Sequence, residues 1–374
     1  MNKLKSHSGF QKLKKCVVGI SYPPEFYSWI TNSRLRNLFE KLAEETEEDF
    51  QGLIKTLESF NVEVIRPSTF TSLEFDIPKG CRIPGPYSMT PRDSLCMIGD
   101  KLYEFSLKNH LKKTSGGRGQ TSKQFFSNDE IFKHDAQIDF FIDVSQQMDP
   151  FKPIIEYVQT FNNTIVTEKQ IPDISNLQPN GIVRVGKDLY LGTDDWLNPA
   201  ELITIQNEFK DYRIKTVSSE GHIDGCLCPV KPGLLLSITD MESYDDSFPN
   251  WEVCYLTGEG WAKVYKWSRL KKKNKGKWWI PGYEDDNELI HFVETWMQDW
   301  VGYVEESVFD VNCLVIDESN ILVSNYNKKA FDAFEKHGVT PHIVPWRHRY
   351  FWDGGLHCVT LDLDREGECI DYFN

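Results

Sequence analysis

The sequence has no apolar run approaching the length of a membrane span, which argues against an integral membrane protein. Its lysine-bearing N-terminus is not followed by the apolar stretch of a secretory signal. A strand-like Cys16-Val17-Val18-Gly19-Ile20 begins so early that a long transit peptide is not expected either. An excess of basic charge is missing too. The 374 residues carry 42 Lys and Arg against 56 Asp and Glu, a formal net charge of −14, so a nucleic-acid binder with a basic face is not expected. The nine cysteines are odd in number and scattered through a long chain, unlike a secreted disulfide framework. Cys226 and Cys228 lie near His222, but no second CxxC or paired histidine completes a zinc site, so neither a metal nor another cofactor is expected. These absences point to a cytoplasmic protein that binds neither nucleic acid nor membrane. Its acidic balance suits a cationic small molecule.

What the chain does contain is enough apolar sequence, 40% of residues, for a sizeable core. It also contains a recurring hairpin pattern, in which an apolar strand, a short polar or glycine turn and a second apolar strand follow one another. The five copies start at Asp93, Gly181, Asp224, Asn312 and Cys358, with turns beginning at residues 99, 186, 231, 317 and 364. The intervals of 87, 45, 86 and 47 residues are a unit near 45 and its double, which signals a repeated supersecondary unit. Helix-like stretches lie at 35–59, ahead of the first hairpin, and at 198–209, 287–300 and 327–336, between later ones, and strands at 212–217 and 341–345 follow two of these. The repeat is therefore strand, strand, helix, strand, and five units closed in a ring would bring five strand starts to one axis. The expectation is one α/β domain over residues 1–374. Loop insertions are expected at 107–128 and at 268–282, where lysines adjoin Trp278 and Trp279. The acidic run at 44–49 reads as an exposed helix face.

Four residues at or just before the heads of these hairpins are candidates for chemistry. Cys358 follows Gly354 and Gly355, which allow backbone to approach a ligand closely. Its neighbour His357 would point to the opposite face if the segment is a strand, so the base is expected elsewhere. His222 supplies it, with Asp224 on the same face two residues on. Asp93 occupies the matching place in the first hairpin. A thiol, an imidazole and two carboxylates around one axis would suit a planar cation with several donors, such as guanidinium.

Met89-Thr90-Pro91-Arg92-Asp93, Gly221-His222-Ile223-Asp224 and Gly354-Gly355-Leu356-His357-Cys358 resemble the amidinotransferase branch of the guanidino-group-modifying enzymes. The resemblance runs from about residue 85 to the C-terminus. It implies a five-bladed pseudo-symmetric α/β propeller of ββαβ units, Cys358 as nucleophile, His222 as acid and base, and Asp93 and Asp224 as guanidinium ligands. Arg184 and Gly355 are further expected in substrate binding. It also implies L-arginine as donor, L-ornithine as product, an amine as acceptor, no cofactor, and a homodimer as an option left open. Two positions depart from the family. Gln178 stands where an aspartate would pair with the histidine, and Met241 where an arginine would hold the donor carboxylate. The first keeps open a catalytically silent binding propeller; the second keeps open the donor's identity. A hydrolase using water at the same site is the remaining alternative.

Overall fold

The computed structural model describes residues 2–69, 87–105, 149–171, 179–193, 199–219, 222–238, 244–256, 280–283, 285–296, 306–352 and 354–373. The anticipated insertion at 107–128 lies wholly outside them, as does 268–282 except its last three residues. Among the described residues, fifteen strands form five sheets of three, the blades of an α/β propeller. One blade holds β3 (Leu95–Ile98), β4 (Lys101–Glu104) and β5 (Thr164–Thr167). The next blades hold β6 (Ile182–Val185), β7 (Asp188–Thr193) and β8 (Arg213–Ser218), then β9 (Leu227–Lys231), β10 (Leu234–Ser237) and β11 (Glu252–Tyr255), then β12 (Leu314–Asp317), β13 (Asn320–Val323) and β14 (Thr340–Ile343). In each, the first two strands are antiparallel and the third is parallel to the second.

The fifth blade corrects the sequence reading. The expected turn at 364 is absent, and β15 (Thr360–Glu366) runs straight through it. Its antiparallel partner is β1 (Lys12–Val18) at the other end of the chain, with Cys16 opposite Asp362 and Val17 opposite Leu361. Parallel β2 (Glu63–Ile65) completes the blade, so the two chain ends close the ring.

The inner strands β3 and β6 are buried at every position, and β9, β12 and β15 at most. Apolar runs without alternation are what strands covered on both faces require. The second and third strands are joined by helices α1 (Ser33–Ser59), α2 (Lys152–Gln159), α3 (Pro199–Glu208), α4 (Tyr244–Ser247) and α5 (Lys328–Lys336). Asn32 and Asn327 cap α1 and α5, their side chains accepting from the backbone N–H three residues on. Four of the five crossovers return to the sheet through a residue of positive φ: Asn61, Asn162, Asn250 and Gly338.

α1 buries Leu35, Leu38, Phe39, Leu42, Phe50, Leu53 and Leu57 at helical spacing. They pack into a cluster shared with Leu314, Leu322 and Trp346, so the helix wedges the closing blade against its neighbour. Each such side chain contributes roughly 1.5–3 kcal/mol. The acidic run on this helix is not uniformly exposed. Asp49 is buried and accepts from the backbone N and Nε of Arg347 at 2.7 and 2.8 Å, because the helical period turns one residue of the run inward. Among the described residues no helix is long and apolar enough to cross a membrane, and all eight described cysteines are free.

Candidate active site

The chain makes a single turn just before most inner strands. Three are one-turn helices, Pro91–Asp93, Pro179–Gly181 and Ile223–Gly225, each leading into β3, β6 or β9. The fourth inner strand follows the helix Glu306–Val311, and the fifth follows a turn at 356–359. These turns end the strands short and aim one side chain each at a common place: Asp93, Asn180, Asp224, Asn312 and Cys358. Their spacings of 87, 44, 88 and 46 residues repeat the hairpin period.

Cys358 is half-buried, and its environment is built by the adjoining blades. Asn312 Nδ2 donates to Cys358 Sγ at 3.0 Å and to the Asp224 carbonyl at 3.1 Å. Asn312 Oδ1 accepts from the backbone N–H groups of His357 and Cys358, both at 3.0 Å, which fixes the turn carrying the thiol. The turn is held from outside as well, since Trp346 Nε1 donates to the Gly354 carbonyl at 2.9 Å. The Cys358 thiol donates to Asp224 Oδ2 at 3.6 Å.

His357 meets the same carboxylate oxygen, with Nδ1 2.7 Å from Asp224 Oδ2. The sequence expectation that His357 and Cys358 face opposite ways fails, because β15 begins only at Thr360 and residues 356–359 form a turn. In a turn, adjacent side chains need not diverge. Burial lowers the His357 pKa and the nearby Arg92 guanidinium lowers it further, so the ring is neutral at neutral pH and Nδ1–H is the donor. Asp224 is buried, which alone would push its carboxyl up. The hydrogen bond from His357 and the nearby Arg92 guanidinium outweigh this and hold it below the usual range. Its other oxygen, Oδ1, is buried without a hydrogen-bond partner among the described residues.

On the other side, Asn180 Nδ2 lies 2.7 Å from Asp93 Oδ1 and 2.9 Å from His222 Nε2. Asp93, Asp224 and Cys358 share one neighbourhood. Burial and then the charges of Asp224 and Asp93 push the Cys358 thiol well up, against the Gly355 backbone N–H and the Asn312 amide, which favour the thiolate. The free protein therefore holds Cys358 as a thiol, and a bound cation would cancel the two charges that keep it so.

Of the expected site residues, the structure groups Cys358, Asp224, Asp93 and His222 as anticipated. Arg184 sits deeper, and its guanidinium is committed to the Met97 carbonyl and Asp362. It lines the inner side of a small cavity beneath the site together with Arg92, Asp224, His357, Cys228 and Cys313. Asp362 there receives Arg92, Arg184 and Arg365, an ion cluster tying the inner strands together under the turns. Gly355 also has a different reason from the one expected. A Cβ there would lie 2.6 Å from Asn312 Oδ1 and 2.9 Å from the Asn312 carbonyl, so the glycine makes room for Asn312. Gln178, Met241 and Gly221 lie outside the described residues. Sequence reasoning missed Asn180, Asn312 and the contact of His357. The period that located Asp93 and Asp224 would have located both asparagines.

No protein-family profile matches the chain. Glycine amidinotransferase, mitochondrial, of Xenopus laevis is 22% identical over 357 residues, spanning 87% of this chain and 71% of that protein. L-arginine:L-lysine amidinotransferase of Pseudomonas savastanoi pv. phaseolicola is 21% identical over 327 residues, spanning 85% of this chain and 78% of its own length. The solved structure of an inosamine-phosphate amidinotransferase from Streptomyces griseus superposes with a TM-score of 0.63 at 15% identity, over 100% of this chain and 99% of the other. The chain thus resembles proteins named as amidinotransferases over most of its length and shares their fold.

Proposed function

We propose that this chain is an amidinotransferase that moves an amidino group from a guanidino donor to an acceptor amine through a covalent intermediate on Cys358. The observation that carries the reading is a half-buried thiol beside two carboxylates, Asp224 and Asp93, with an unpartnered buried oxygen on Asp224. Carboxylates offer only acceptors, and a guanidinium offers several donors in one plane and a positive charge. Binding such a cation turns the field at Sγ in favour of the thiolate. Because the Cys358 thiol starts well above the ordinary range, bringing it near neutral pH takes more than the roughly 2 kcal/mol that would carry a free thiol from about 8.5 to about 7.

The course follows from the groups present. His222 takes the Cys358 proton, and the thiolate attacks the guanidinium carbon. Asn312 Nδ2 steadies the sulfur as its negative charge develops. The carbon–nitrogen bond to the departing amine breaks, and His222 returns the proton to that amine. Cys358 then carries an amidino-thioether. An incoming amine gives a proton to His222 and attacks the same carbon, the carbon–sulfur bond breaks, and the thiol is regenerated. No electrons are exchanged with an outside reagent, and the kinetics are ping-pong.

We take L-arginine as donor and L-ornithine as first product, in keeping with the name of the Pseudomonas relative. The free cysteines fit a reducing compartment. Amino-acid analysis after incubation with arginine and a panel of amines tests the reading. Ornithine that forms only with an added amine supports transfer. Citrulline and ammonia without one replace it with a hydrolase, and turnover retained in Cys358→Ala overturns the mechanism.

A further inference from the structure

We propose that Asn180 is a positioning residue that fixes the tautomer of His222 in the free protein, an inference that rests on the acid–base assignment of His222 above. Asn180 is 1% exposed and sits on the one-turn helix Pro179–Gly181 ahead of β6. It lies two residues on from Gln178, where the family resemblance implies an aspartate partner for the histidine.

The geometry makes a chain of three assignments. The Asp93 carboxylate oxygen, 2.7 Å away, offers only lone pairs, so the amide atom facing it is the nitrogen. A reversed amide would bring two acceptor oxygens together at that distance. The amide nitrogen carries two hydrogens. With one directed to Asp93, the other points to His222 Nε2 at 2.9 Å. Nε2 must then present its lone pair, which places the ring proton on Nδ1. In water the neutral side chain favours the opposite form, with the proton on Nε2. Asn180 thus holds the ring in the less common tautomer and pins its rotation at the same time.

The local turn does not explain this arrangement. Asn180 Oδ1 is buried without a hydrogen-bond partner among the described residues, so Asp93 and His222 are what orient the amide. The consequence for the reaction is specific. A proton arriving at Nε2 meets the Asn180 N–H, so uptake there requires this bond to open. Asp93 is the guanidinium ligand as well as the group that orients Asn180. A donor bound to Asp93 therefore acts on the residue that holds His222, linking substrate arrival to the base.

The test is long-range ¹H–¹⁵N correlation spectroscopy on the full chain with ¹⁵N-labelled histidine, at mildly alkaline pH, above the range in which a free imidazole titrates. The His222→Gln variant identifies the His222 signals among the nine histidines. The expected spectrum shows a protonated Nδ1 and a bare Nε2 for His222. Asn180→Leu, of similar size but with no donor, inverts the pattern to a protonated Nε2. Asn180→Ala does the same and replaces the leucine variant if that does not fold. A protonated Nε2 in the unsubstituted protein overturns the proposal, whatever the variants do. So does a protonated Nδ1 that survives the substitutions. The measurement involves no turnover, so failure to transfer amidino groups and failure of the tautomer assignment are separate results.

Discussion

Single side chains in this protein do two opposed kinds of electrostatic work. Asp362 is buried, yet Arg92, Arg184 and Arg365 hold its carboxyl well below the ordinary range. A pKa lowered by folding adds stability that is fully present above the unfolded value near 4 and is lost as pH falls through the folded value. Asp362 therefore stabilises the fold at neutral pH and ceases to do so only in strong acid. Asp362→Asn leaves three buried guanidinium groups short of a counter-charge and is predicted to cost about 3–5 kcal/mol in denaturant unfolding. Cys358 shows the reverse, its thiol pushed up by burial and by Asp224 and Asp93. Alkylation of Cys358, followed on its own peptide by mass spectrometry, is predicted to rise only above the ordinary thiol range. Asp224→Asn moves that profile to lower pH. A profile that stays in place would mean that the carboxylate does not act on the sulfur. The site's asparagines stand at positions the hairpin period marks, but an amide has no reactivity of its own to draw attention to them. Asn312 matters by where its two hydrogen-bonding atoms point.

At the scale of elements, the turns are where sequence and structure agree most and where substitutions are most telling. The turn between β6 and β7 uses Gly186 at φ 61°, and a Cβ there would fall 2.0 Å from the Ile370 carbonyl oxygen. The turn between β9 and β10 uses Gly233 at φ 90°, with nothing within 4 Å of a Cβ. Gly233→Ala is predicted to cost about 1–3 kcal/mol from backbone strain alone, and Gly186→Ala distinctly more, because the C-terminal segment must also move. Thermal unfolding of the pair checks the order. Four hairpins were legible because each is closed by its own local turn. The fifth was not, since β15 pairs with β1 from the far end of the chain and no local pattern records such a partner. The same segment misled the reading of His357. Val359, Thr360 and Leu361 have strand composition, and the strand signal ran two residues past its real start into the turn that carries the thiol.

For the whole molecule, the period of the hairpins was the legible quantity, and the ring it implies is what gathers residues 93, 180, 224, 312 and 358 from five blades. Repetition explains why a site can be found from spacing alone. Each blade presents one side chain just ahead of its inner strand, and the blades differ in which side chain that is. Three blades present the thiol and the two carboxylates, and two present asparagines that orient them. The protein carries net negative charge, and the proposed guanidinium donor would complete the balance at Cys358. The proposed transfer requires a covalent step at that sulfur. The most direct measurement is intact and peptide mass spectrometry after rapid acid quench of the protein with L-arginine and no acceptor amine. The account predicts a mass increase of one amidino group on the peptide containing Cys358, removed when an accepted amine is added and absent in Cys358→Ala. An unmodified Cys358 under conditions in which ornithine is being formed would contradict it.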